Sequence, residues 1–144
     1  MAEISAFDLE TQLRDQLGDR LAKDANIYLA DSKYYLTPLA DMVRLIKSER
    51  LDKVVYREEV MDCDDFAVLM YAAAKRSSFK NQKRRLPHTV GLVWGIADGE
   101  GAHALNIMMN NDGAIRIVEP QAEPDESVMT VKDSGITGIW MIMI

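Results

Sequence analysis

Met61-Asp62-Cys63-Asp64-Asp65-Phe66-Ala67 is the stretch on which the reading of this chain turns. Cys63 is the only cysteine. Asp62 is a good N-cap residue, and Asp64 and Asp65 fall in the turn that follows, where the helix dipole favours carboxylates. Cys63, Phe66, Ala67, Met70 and Ala74 then recur at helical spacing, which predicts a helix from Cys63 to about Arg76 with the thiol directed toward the body of the protein. Downstream lie Gly101-Ala102-His103-Ala104-Leu105-Asn106-Ile107 and Val118-Glu119-Pro120-Gln121. A cysteine heading a helix, followed by a histidine and a carboxylate on two strands, is an acyl-transfer layout.

Working outward, Phe7, Leu9, Leu13, Leu17 and Leu21 predict an amphipathic helix over residues 6–23, weakened at Gly18. Residues 25–36 read as an ordered connection. Thr37-Pro38 reads as a cap with proline at the first helical position, opening a helix to about Arg50 whose stripe is Leu39, Met42, Val43 and Ile46. Residues 51–60 approach the cysteine as a loop or short strand. Strands are predicted over 88–97, 102–109, 114–119 and the tail 136–143. Helices first and an antiparallel sheet afterwards give an α+β class, expected as a single domain over 1–144 with the cysteine helix packed on the sheet.

Asn110-Asn111-Asp112-Gly113 is a turn signal that folds 102–109 and 114–119 into a hairpin. The hydrophobic pattern then sets His103 opposite Glu119, Leu105 opposite Ile117 and Ile107 opposite Ile115, whereas a one-residue slip mixes apolar and charged faces. This register predicts His103 and Glu119 side by side, on the face that covers the Cys63 helix. His88, next to Pro87, is the rival histidine; pairing through Asp98-Gly99-Glu100-Gly101 carries it to the far end of the sheet as a surface residue.

The three residues divide the chemistry. A thiolate is the nucleophile and is stabilised by a helix N-terminus and an imidazolium. His103 would activate the sulfur and protonate the leaving amine, and Glu119 would fix the ring. Read singly, the cysteine is also an ordinary small buried hydrophobe and the aspartates ordinary caps.

Composition narrows the rest. The chain has 144 residues, 48% hydrophobic and 28% charged, with a net charge of −6, which argues against general affinity for nucleic acid. One cysteine excludes an intramolecular disulfide framework and a multi-cysteine zinc site. Six basic residues gather between Lys75 and Arg85, a solvated helix end that could contact phosphates or an acidic partner. No run approaches the roughly 20 apolar residues of a membrane span. Met1-Ala2-Glu3-Ile4-Ser5 lacks the basic start of a secretory signal, so a cytoplasmic location and no membrane partner are expected.

Asp62-Cys63-Asp64-Asp65-Phe66-Ala67, Gly101-Ala102-His103-Ala104-Leu105-Asn106 and Glu119-Pro120-Gln121 resemble the papain-like superfamily that includes the transglutaminase-like peptidases. The likeness is greatest to the C-terminal domain of a mushroom agglutinin and its small bacterial and phage relatives, and spans Tyr56 to Gln121 by motif. It implies a papain-like fold, a Cys63–His103–Glu119 triad hydrolysing peptide or amide bonds, a homodimer, and for a phage protein a place in the host cell. It also implies calcium held by Asp64, Asp65 and Gln121, a hard cation suited to oxygen ligands and able to neutralise the aspartates beside the thiol. The agglutinin's lectin domain is absent, so no sugar binding follows from the likeness. Two alternatives stand beside this reading: a catalytically idle binding or assembly module of the same fold, and a transglutaminase that passes the acyl group to an amine.

Overall fold

The computed structural model describes residues 2–81, 83, 85–97 and 101–144. Along the chain run β1 (Glu3–Ser5), α1 (Ala6–Leu17), β2 (Leu21–Tyr28), β3 (Lys33–Tyr35), α2 (Leu39–Glu49), α3 (Cys63–Lys80), β4 (Val90–Ala97), β5 (Gly101–Met109), β6 (Ile115–Val118), β7 (Val128–Thr130), α4 (Val131–Ser134) and β8 (Thr137–Met143). The class is α+β. A six-stranded sheet has the order β2-β8-β4-β5-β6-β7, and β1 pairs with β3 in a small ribbon.

Several boundaries differ from the sequence expectation for identifiable reasons. Helix α1 stops at Leu17 because Gly18 takes a left-handed φ of 50° as its C-cap and donates its N–H to the Arg14 carbonyl. Leu21 therefore belongs to β2, which pairs in parallel with β8. The sheet is mixed rather than antiparallel. Thr37 does not cap α2; its Oγ1 lies 3.0 Å from His88 Nδ1. His88 is only 4% exposed, not a surface residue, because Tyr35 bridges it and its N–H donates to Ser78 Oγ. The turn residues 98–100 lie outside the described residues.

Helices cover both faces of the sheet. Leu9, Leu13 and Leu17 of α1 pack with Leu105, Ile107, Ile117, Ile139 and Ile142. On the other face, Met42 and Ile46 of α2 and Phe66, Met70 and Ala74 of α3 pack with Val90, Met108 and Val118. Gly91 admits the C-terminus, since a Cβ there would stand 2.0 Å from the Met143 carbonyl. That close approach requires glycine.

Asn106 joins three elements within the second layer. Fully buried on β5, it donates through Nδ2 to the Ala67 carbonyl of α3 at 2.9 Å and to the Gly91 carbonyl of β4 at 3.0 Å. Asn106→Ala is expected to cost about 2–3 kcal/mol, from two lost hydrogen bonds and the space left behind. Urea unfolding measures this, and a loss below about 0.5 kcal/mol would show that the amide does not tie helix to sheet.

Candidate functional site

Asp62 adopts an extended backbone ahead of α3, and its N–H donates to Asp65 Oδ2 at 3.1 Å, half of a reciprocal cap. Cys63 is thereby the first helical residue. Its half-buried side chain leans on a small apolar wall formed by Ala67 of α3, Leu92 of β4 and Ala104 of β5.

His103 Nε2 lies 3.1 Å from Glu119 Oε2. The other carboxylate oxygen of Glu119 accepts the Gln121 N–H at 3.1 Å, and its backbone N–H donates to the Ser127 carbonyl. Glu119 is thus held at both ends. The pairing register differs from expectation by two residues: Ile107 faces Ile117 and Met109 faces Ile115. A shift of two preserves the faces, so His103 and Glu119 meet diagonally instead of directly. The face assignment is corrected. His103 alternates in phase with Leu105 and Ile107, which pack toward α1, while α3 covers the opposite face.

The pair meets the Cys63 wall because both stand at the open end of the sheet. There His103 and Glu119 border two hollows. The larger, ≈640 Å³, is lined by Tyr56, Cys63, His103, Glu119 and Gln121 among others. The smaller, ≈270 Å³, lies toward Leu105, Met129 and Asp133. The structure therefore brings Cys63, His103, Glu119 and Gln121 around one cleft. Tyr56, 52% exposed on its rim, was not a candidate from sequence; a lone aromatic in the segment 51–60 that approaches the cysteine was the available signal. His88 lies at the other end of β4, away from the cleft.

Asp62, Asp64 and Asp65 can each offer one oxygen within 4.8 Å of the others. A hydrogen bond with Asp64 holds the Asp62 carboxyl above its usual range, followed by partial loss of hydration and the negative charge of Asp64. Carboxylate oxygens grouped in this way are the donor type that a hard divalent cation takes. Gln121 lies in the cleft, joined to Glu119 through its N–H.

Residues 34–124 match the family model described as Agglutinin C-terminal. No curated protein sequence matches the chain. Among solved structures, the PSL1a-E64 complex is similar at a TM-score of 0.85 and 21% identity, covering 99% of this chain and 50% of that one. The Polyporus squamosus lectin bound to the human-type influenza-binding epitope Neu5Aca2-6Galb1-4GlcNAc is similar at a TM-score of 0.77 and 20% identity, covering 99% and 49%. The chain spans about half the length of these structures.

These matches correct the peptidase assignment. The model that fits is an agglutinin's and the fold is shared with a lectin, so papain-like or transglutaminase-like kinship, cysteine-hydrolase function, enzyme class and a peptide substrate do not stand. Two of the short motifs also have a structural duty here. Asp62 and Asp65 cap α3, Cys63 fills an apolar wall, and Glu119 anchors the chain leaving β6. With 34–124 matched, the chain belongs to the agglutinin C-terminal family.

Proposed function

We propose that the chain is a non-catalytic binding module that holds a neutral, hydroxyl-rich ligand, of the glycan class, in the cleft between the start of α3 and the ends of β5 and β6. The observation that carries this reading is the lining of the ≈640 Å³ hollow, a size suited to a small ligand. Tyr56 offers an exposed aromatic face, the His103–Glu119 pair offers polar atoms held by their mutual bond, and Gln121 lines the same hollow. Cys63, His103 and Glu119 act here as wall and hydrogen-bonding groups. The lectin among the structural neighbours is bound to a sialylated trisaccharide, which supports glycans as the first class to test. Charge refines the choice. Glu119, the acid that lines the hollow, disfavours a sialic carboxylate, so the neutral Galb1-4GlcNAc portion is the better fit.

Titration of the labelled protein with the disaccharide, read by amide chemical shifts, should move Tyr56, His103 and Gln121. Tyr56→Ala and Gln121→Ala should each weaken binding about tenfold, the loss of one stacking face or one buried hydrogen bond. Cys63→Ser should bind as the wild type does, and the sialylated trisaccharide should bind more weakly than the disaccharide. Amides of the cleft that stay unmoved at saturating disaccharide would reject the reading.

Calcium at the acidic cluster is the second part of the proposal. Asp62, Asp64 and Asp65 would hold the ion, with Gln121 as the fourth oxygen implied by the family likeness. Bound there, the ion supplies neutralising charge at the head of α3. A folded-state carboxyl raised above its unfolded value favours the protonated form, so stability without metal should fall as pH rises through the window just above the ordinary carboxylate range. Calcium should raise the melting temperature more at pH 7 than at pH 4, since protons and the ion compete for the same oxygens. Asp64→Asn combined with Asp65→Asn should abolish that gain. Equal melting curves with calcium and with chelator at pH 7 would leave the cluster as helix capping alone.

A further inference from the structure

The opposite end of α3 presents a surface that the cleft does not use. Its 18 residues span about 27 Å, so this end is remote from Cys63. Between Lys75 and Arg85 the sequence holds six basic residues and no acidic one, within a chain of net charge −6. Lys75 is tied to Asp31 and Arg76 to Glu49. Among the described residues, no carboxylate pairs with Lys80, Lys83 or Arg85, all of which are exposed. Basic residues at a helix C-terminus complement the dipole, but that effect fades within one turn and leaves Lys83 and Arg85 unexplained.

Phe79 gives the surface a second character. At 88% exposure it is the most exposed large apolar side chain described. It shares a hollow of ≈370 Å³ with Lys75, Asn81, Arg85 and Leu86, while Arg76, Lys80 and Asn81 border a neighbouring one of ≈360 Å³. A protruding aromatic ring ringed by cations matches the chemistry of an interface between water and anionic headgroups.

We propose that the C-terminal end of α3, with Phe79 as apolar anchor and Lys80, Lys83 and Arg85 as headgroup contacts, docks on an anionic lipid bilayer. The cations meet the negative surface potential, and the Phe79 ring enters the headgroup layer. A sulfated or phosphate polyanion would satisfy the cations but gains nothing from Phe79, and one ring without interleaved aromatics makes no stacking platform for a nucleic acid, which is why the bilayer is the occupant chosen. No described helix is long and apolar enough to cross a membrane, and docking requires none.

The test is co-sedimentation of the full chain with phosphatidylcholine vesicles, with and without about 30% phosphatidylserine. Binding should require phosphatidylserine and should be released between about 0.05 and 0.5 M salt, as screening shortens the reach of the charges. Lys80→Glu with Lys83→Glu should abolish it. Each single Lys→Gln change should weaken it roughly fivefold, and Phe79→Ala roughly tenfold. These side chains are exposed, and unchanged thermal melts will verify that the variants fold. Three results would overturn the proposal: no vesicle binding, binding indifferent to phosphatidylserine, or heparin binding without vesicle binding. Loss of glycan binding in the cleft has no bearing on it.

Discussion

The Asn106 side chain is the contact on which the arrangement of the cleft depends. From the middle of β5 it reaches the Ala67 carbonyl, one turn beyond the head of α3, and the Gly91 carbonyl of the next strand. Because Ala67 packs against Leu92 and Ala104, the amide fixes both the height and the rotation of the helix on the sheet. Cys63 lies four residues earlier, so its position above Ala104 is inherited from this anchor. Both of its N–H groups are paired, while its Oδ1 is buried without a partner among the described residues, so the two donated bonds are what offset the cost of burying the amide.

The second constraint is where the sheet stops. Strand β6 closes at Val118, and the next residue, Glu119, is gripped by Gln121 and Ser127 instead of a ladder partner. His103 stands near the start of β5. Neither side chain is enclosed by the layers to either side, and their bonded pair divides two hollows at the rim. The cleft is thus a consequence of strand length and of the Asn106 anchor together. Capping α3 with aspartates sets Asp62, Asp64 and Asp65 close together beside the cleft, which adds negative charge at the head of the helix.

Much of this was legible in the residues. Asp62 marked the head of α3, and period-two alternation in β5 and β6 placed His103 and Glu119 on one face. The same periodicity left the register ambiguous by two, since such a shift keeps every apolar residue inward. Strand β2 was hidden because Leu21-Ala22-Lys23-Asp24-Ala25-Asn26 shows no alternation. Burial of His88 depends on a bridge to Tyr35 from a ribbon only three residues long, which leaves no sequence signal. Function was misread for a different reason. Three short motifs carried the peptidase likeness, and two of them are also what this fold needs to cap α3 and to hold the chain leaving β6.

The central claim is that the cleft binds without turning its ligand over. Its most direct test is to incubate the chain with a complex peptide mixture, with calcium and with chelator, and to follow every species by mass spectrometry. The account predicts that each peptide is recovered uncut in both conditions. New peptide termini that appear with the wild-type chain and vanish with Cys63→Ala would contradict it, and would make Cys63, His103 and Glu119 a working catalytic set.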